Sequence, residues 1–305
     1  MNETTISRAG AFPTSATGRA EAFPTSATVA CQGVEGAYSE LAARALLAEP
    51  EILYLRTFDG VFRAVENGLC DFGILPIENS NAGSVGEVYD RMREHRFSIV
   101  RAVKLTIVHT LLAKERVDVG RIREILTHEQ AARQCSRFLD AHDDIALTIC
   151  GNTATSAREV AESSRTDIGA IASHNCASLY GLQVLPVEIQ NSAHNYTRFI
   201  CISKTPEVYD GADRISLMLT LEHRAGSLFE VMKRFAEAGI NLTKLESRPI
   251  AGTDFEFMFY FDIEGSVFDE RIATVLQQVE HDAREFTWMG NYSEIVASSL
   301  ASPLE

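Results

Sequence analysis

A chain of 305 residues with 46% hydrophobic and 23% charged side chains has the composition of a globular protein and room for two domains. Its formal net charge of −14 argues against nucleic acid or an anionic membrane as the main partner, and an anionic ligand would need a locally positive pocket. The six cysteines form no C-x-x-C pair, and Cys31, Cys70, Cys150 and Cys201 fall in or beside apolar strand-like runs, which suits buried, reduced thiols. Residues 1–28 are rich in Thr, Ser and Ala and lack the apolar stretch of a signal peptide. No run approaches the ~18 apolar residues of a membrane span. These features predict a protein of the reducing cytoplasm.

The tail, 1–28, holds a direct repeat, AFPTSAT at 11–17 and again at 22–28, too short and polar for a solenoid, and is expected to be disordered. Folded structure is expected from Val29. VACQG (29–33) reads as a strand, Gly33 to Gly36 as a turn, and ELAARALLAE (40–49) as a helix capped near Tyr38 or Ser39. Backbone N–H groups at such a junction favour an anion. The two glycines make neither a dinucleotide nor a Walker fingerprint. EILYLRTF (51–58) reads as strand, DGVFRAVENG (59–68) as a helix capped by Asp59, and CDFGILPI (70–77) as a buried strand. The polar stretch Glu78-Asn79-Ser80 and Gly83-Ser84-Val85 then lies at a strand's carboxyl end, where open α/β sheets place ligands, although it equally fits a loop feeding a helix at 85–94.

FSIVRAVKLTIVHTLLA (97–113) reads as a strand pair or a crossing between lobes. IREILTH (122–128) is strand-like, EQAARQCSRFLDAH (129–142) helical, and ALTIC (146–150) a strand. It leads to a helix at 157–163 capped by Thr153 or Thr155, a geometry that also offers hydroxyls and amides to a ligand. DIGAIAS (167–173) is a strand, HNCASLYG (174–181) a short helix, and LQVLPVEIQ (182–190) follows. The pentapeptide Asn195-Tyr196-Thr197-Arg198-Phe199 then enters the apolar strand FICIS (199–203). Alone it fits an ordinary strand edge, or a glycosylation sequon in a secreted chain. The β–α alternation predicts helices over a mainly parallel sheet, and the 97–113 run with the return at 182–203 predicts two lobes joined by two crossings, about 29–103 plus 191–203 and about 104–190, with a cleft between. His109, His128, His174 and His194 are scattered without metal-ligand spacing, so no metal is expected.

After a polar linker at 204–212, the segment 213–294 reads βαββαβ, the ferredoxin-like split motif, with the middle strands joined through Ala251-Gly252. Residues 295–305 are expected to fray.

Gly33-x-x-Gly36-Ala37-Tyr38-Ser39, Glu78-Asn79-Ser80…Gly83-Ser84-Val85 and the pentapeptide at 195–199 resemble, in order, the catalytic domain of the prephenate dehydratase family. The second unit resembles an ACT domain, a small-molecule regulatory module. Its Glu246-Ser247-Arg248-Pro249 matches that family's phenylalanine signature, and Ala225-Gly226-Ser227-Leu228 stands where the family has Gly-Ala-Leu. The resemblance covers about 29–294.

It implies an α/β fold: a two-lobed catalytic domain at 29–203 like the type II periplasmic binding proteins, then a ferredoxin-like ACT domain at 213–294. It implies a cofactor-free hydro-lyase that turns prephenate into phenylpyruvate for phenylalanine biosynthesis, with L-phenylalanine as allosteric effector and a homodimer or homotetramer as assembly. Thr197 would assist the departing hydroxyl. Tyr38, Ser39, Asn79, Ser80, Ser84, Thr153, Thr155, Asn195 and Arg198 would hold substrate, with strand alternation able to turn Arg198 away from Thr197 and Phe199 assigned to packing. Gly226, Ser227, Leu228, Asn241, Leu242, Glu246, Ser247 and Arg248 would hold the effector across a subunit contact. Arogenate as substrate, decarboxylation without aromatisation, and a non-catalytic amino-acid sensor are the competing readings.

Overall fold

The computed structural model describes residues 19–20, 22–250 and 256–299. The described residues of 24–91, 103–201 and 295–299 fall in one unit, and those of 19–23, 92–102 and 202–294 in the other. The fold is mixed α/β, and each unit is taken separately.

In the first unit, β1 (Ser26–Gln32), α1 (Tyr38–Leu46), β2 (Glu49–Leu55), α2 (Phe58–Glu66), β3 (Phe72–Asn79) and α3 (Gly86–His95, of which 86–91 fall in this unit) alternate strand and helix. After β4 (Ser98–Thr106), of which 103–106 fall in this unit, the chain enters β5 (His109–Ala113), β6 (Glu124–Thr127), α4 (Glu129–Gln134), α5 (Ser136–Asp140), β7 (Ala146–Ile149), α6 (Thr153–Glu162), β8 (Ile168–Ser173), α7 (Asn175–Tyr180) and β9 (Gln183–Val184), and returns in β10 (Tyr196–Ser203), of which 196–201 fall in this unit. One sheet runs β4-β10-β3-β1-β2, with β1 parallel to β2 and β3. The other runs β9-β5-β8-β6-β7, parallel from β8 through β7, with β5 and β9 antiparallel.

Strand β8 is buried at every position because helices cover both its faces. Its alternation divides the core: Ala170 and Ala172 pack with Leu112, Ala154, Ala157 and Val160, while Ile171 packs with Leu111, Ile125 and Phe138. Small Ala residues under α6 let that helix lie close to the sheet.

The second unit contains β11 (Arg214–Thr220), α8 (Ser227–Glu237), β12 (Leu242–Pro249), β13 (Phe257–Glu264), α9 (Glu270–Asp282) and β14 (Glu285–Ser298). The sheet runs β12-β13-β11-β14 and is antiparallel throughout. Leu217, Leu219, Phe261 and Ile263 pack on one side with Val231 and Phe235 of α8 and Leu276 and Val279 of α9.

Several boundaries depart from the sequence reading. Strand β1 opens at Ser26 rather than Val29, since Thr28 donates through N and Oγ1 to Asp71 Oδ2 at 2.8 and 2.7 Å, a polar latch that apolar patterning does not mark. The expected tail therefore ends inside β1, and the first repeat copy, 11–17, lies outside the described residues. Helix α2 is capped by Thr57, whose Oγ1 accepts from Gly60 N at 3.0 Å, and Asp59 lies within it. Helix α6 is capped by Asn152, whose Oδ1 accepts from Thr155 N at 2.8 Å, so Thr153 and Thr155 fall inside the first turn. The expected helix at 129–142 breaks at Cys135, where ψ is 17°. Within 182–190, Gln183–Val184 form a short strand paired with β5, and Leu185 N donates to Leu111 O at 2.9 Å. Strand β14 runs on to Ser298, past the expected fraying point, and Ser299 N donates to Thr106 O at 3.2 Å. The link at Ala251-Gly252 lies outside the described residues. No helix of the described residues is long and apolar enough to cross a membrane.

Candidate active site

In the first unit a cavity of about 430 Å³ opens between the two sheets. Its wall is set by strand ends and helix starts. Tyr38 and Ser39 come from the start of α1, Phe58 from α2, Val85 from just ahead of α3, His128 and Gln130 from α4, and Asn152 and Thr153 from α6. Five helices thus present their amino ends to one space, and each such end carries a partial positive charge. None of the lining residues is Lys, Arg, Asp or Glu. The positive potential that an anion needs comes from backbone dipoles and neutral donors.

Thr197 and Phe199 both line the cavity, as strand alternation on β10 requires once one of them does. Phe199 is also buried, so it serves as packing and as wall. Arg198, expected to supply positive charge near the pocket or to be turned away by strand alternation, lies on the opposite face of the strand and does not line it.

A polar network backs Thr197. Asn79 Nδ2 donates to Thr197 Oγ1 at 2.9 Å, to Asn195 Oδ1 at 2.9 Å and to Tyr196 O at 3.0 Å. Asn79 Oδ1 accepts from Asn81 N and Ala82 N, both at 3.0 Å. Gln134 reaches both amides, and His109 Nε2 lies 2.9 Å from Gln134 Oε1. Tyr38 Oη donates to Val108 O at 2.8 Å and lies 3.1 Å from His109 Nδ1. Burial pushes the His109 imidazole down to about 4, outweighing the Gln134 hydrogen bond that favours its charged form. His128 is lowered by burial as well, and its Nδ1 accepts from Gln130 N at 3.3 Å as the cap of α4. Burial holds the Tyr38 phenol well above its usual range. The cavity wall is therefore uncharged at neutral pH.

Of the substrate residues read from sequence, Tyr38, Ser39, Asn79, Thr153 and Thr197 line the cavity. Ser80, Ser84, Thr155 and Asn195 do not. Ser80 Oγ accepts from Tyr196 N at 3.0 Å, which ties β3 to β10, and Asn195 acts one layer back through Asn79. Sequence reasoning passed over Gln32, His128, Gln134 and Asn152, all in the wall. His128 and Asn152 stand at strand–helix junctions of the kind used to select Tyr38 and Thr153, so the signal was present. Gln134 carried none, because it sits at the far end of α4. Among the described residues no group of three or more His, Cys, Asp or Glu side chains could hold a metal ion.

The second unit has its own cavity, about 400 Å³, lined by Leu221 to Ala225, Ser227, Leu228, Glu256, Phe257 and Phe259. Gly226 caps α8 at φ +90°, and Ser227 Oγ is buried without a hydrogen-bond partner among the described residues. Of the effector residues read from sequence, Ser227 and Leu228 line this space, and Gly226, Asn241, Leu242, Glu246, Ser247 and Arg248 do not. Asn241 donates to Glu264 Oε2 at 3.0 Å, and Leu242 to Arg248 lie along β12, which among the described residues pairs with β13 alone.

The sequence pattern of the prephenate dehydratase family matches residues 29–207. Over 276 residues the chain is 37% identical to arogenate dehydratase/prephenate dehydratase 2 of Arabidopsis thaliana, covering 87% of this chain and 72% of that one. Among solved structures, the prephenate dehydratase of Arthrobacter aurescens in complex with L-Phe superposes with a TM-score of 0.78 at 28% identity, covering 87% of this chain and 89% of that one. GqqA, described as a novel type of quorum-quenching acylase, superposes at 0.77 with 28% identity, covering 87% and 97%.

Proposed function

The chain belongs to the prephenate dehydratase family, and on that premise we propose that it removes water and carbon dioxide from prephenate to give phenylpyruvate. The observation that carries this is the Thr197 hydroxyl, facing an uncharged cavity ringed by helix amino ends, with its oxygen already engaged by Asn79. An amide N–H donated to Oγ1 leaves the hydroxyl hydrogen for the substrate. The ring carboxylate departs as carbon dioxide, its bonding pair moves into the ring, and the hydroxyl opposite leaves as water. One proton is consumed overall and comes from solvent. Aromatisation drives the step, so the chain needs only to place Thr197 in line and hold the dianion. Thr153 and the starts of α1, α4 and α6 hold carboxylates as neutral donors, where charge is stabilised without a competing counter-ion.

For the second unit we infer an ACT domain that binds L-phenylalanine. Its cavity at the start of α8 suits a carboxylate, and the apolar Leu221, Phe257 and Phe259 suit an aromatic side chain. The residues on β12 would come from a second copy, which favours a homodimer or homotetramer. We place the chain in a reducing cytoplasm, which suits its six free cysteines.

Arogenate is the second reading, favoured by the name of the Arabidopsis relative. An acylase would pair a hydroxyl nucleophile with a base. Here Ser39 Oγ donates to Gln32 O at 2.6 Å and Thr197 Oγ1 accepts from Asn79, so neither bond involves an imidazole. Purified protein given prephenate should form phenylpyruvate, and less of it with L-phenylalanine present. Turnover of arogenate alone would move the assignment to that substrate, and turnover of neither would remove it.

A further inference from the structure

Resting on that reading, we propose that His109 is a positioning residue: as the neutral tautomer protonated on Nε2, it holds the Gln134 amide in the orientation that keeps Asn195 and Asn79 set behind Thr197. The direction of every bond in this network follows from one fixed end. Backbone amides can only donate, and Asn81 N and Ala82 N both point at Asn79 Oδ1. Asn79 Nδ2 is therefore the donor to Asn195 Oδ1 and Thr197 Oγ1. With its oxygen accepting, Asn195 uses Nδ2 to donate to Gln134 Oε1 at 3.0 Å. Gln134 Nε2 donates to Asn79 Oδ1 and Asn195 Oδ1, each at 3.3 Å. Gln134 Oε1 is thus an acceptor, and only a proton on His109 Nε2 makes the 2.9 Å contact a hydrogen bond.

The two short bonds to Gln134 both fall on Oε1, one from Asn195 and one from His109. The Nε2 contacts are longer. Gln134 has a flexible stem and lines the cavity, so without the imidazole its amide can turn over or swing into the substrate space. Turning over would set Gln134 Nε2 against Asn195 Nδ2, donor against donor, and loosen the pair that steadies Asn79. His109 itself is held by its own backbone, whose N–H donates to Gln190 Oε1 at 3.0 Å, and by its place in β5. His109 is 5% exposed, which disfavours the charged form at neutral pH, and the Nε2 tautomer leaves Nδ1 to accept from Tyr38 Oη at 3.1 Å, in competition with Val108 O for that one hydroxyl hydrogen.

Two measurements test this. Nitrogen-15 NMR of the wild-type protein at neutral pH should show His109 protonated on Nε2 alone. A proton on Nδ1 alone, or on both nitrogens, would overturn the proposal. In steady-state kinetics with prephenate, His109→Leu should lose about tenfold or more in kcat, the scale of a buried hydrogen-bond partner removed, with KM changed by less than about threefold. His109→Gln, which restores a donor near the Nε2 position, should recover most of that loss. A leucine variant with full kcat, a glutamine variant no better than leucine, or a rise in KM with kcat intact would each refute positioning. If the wild-type protein fails to turn over prephenate, the reaction assignment falls while the tautomer measurement still decides the geometry.

Discussion

Replacing Thr197 with valine separates catalysis from folding. Valine keeps the β-branched shape that suits β10 and deletes only the hydroxyl. Asn79 Nδ2 carries two hydrogens and has three acceptors within 3.0 Å, so loss of Thr197 Oγ1 still leaves Asn195 Oδ1 and Tyr196 O. No buried donor is orphaned, and the stability cost should stay at about 1 kcal/mol or less. The catalytic loss should be far larger, roughly 10²–10⁴ in kcat, or about 3–5 kcal/mol in the barrier. The assay is phenylpyruvate formation from prephenate by purified protein, with a urea midpoint measured on the same preparation. Thr197→Ser, which retains the hydroxyl, should stay within about tenfold of wild type. Turnover of the valine variant within threefold of wild type would refute the role given to Thr197. So would a fall in rate fully matched by loss of folded protein.

Three further outcomes are expected. Burial of His109 lowers its folded value from 6.5 to about 4, so the unfolded chain takes up this proton first as pH falls. The resulting stability is whole above about pH 6.5, declines toward pH 4 and is lost below it, by about 3 kcal/mol in all. Urea midpoints for wild type and His109→Gln should converge over that window, and a constant difference would count against a neutral buried ring. Gly36→Ala should destabilise the first unit, because φ is +85° and the added Cβ would sit 2.9 Å from Leu179 Cδ2 and 3.0 Å from Cys176 Sγ. The backbone alone accounts for about 1–3 kcal/mol, read as a lowered thermal midpoint, and an unchanged midpoint would mean the turn before Tyr38 adapts freely. Asn152→Ala removes the cap of α6 at the cavity wall, at about 1 kcal/mol of stability. If α6 helps hold a carboxylate equally before and during reaction, KM should rise while kcat holds, and the reverse pattern would assign α6 to the chemical step.

Local order in the sequence determined much of this protein. Strand–turn–helix junctions follow from glycine placement, apolar period and the polar residues that end each run. They located Tyr38, Ser39, Asn79 and Thr153 in the wall because a strand end followed by a helix start is where free backbone N–H groups gather. The βαββαβ order of the second unit was equally legible from period alone. Tertiary structure decided which side chains meet. Asn79, Gln134 and the pair Asn195 and Thr197 come from three segments far apart in sequence, and an amide's donor and acceptor ends look the same in any local window. Their roles emerge only when β3, α4 and β10 converge and backbone N–H groups fix one oxygen. The side chosen by Arg198 was likewise undetermined, since alternation places neighbours on opposite faces without saying which face is the cavity. Absence of charge from the wall could not be read locally at all, because it is a property of an enclosure assembled from several distant segments.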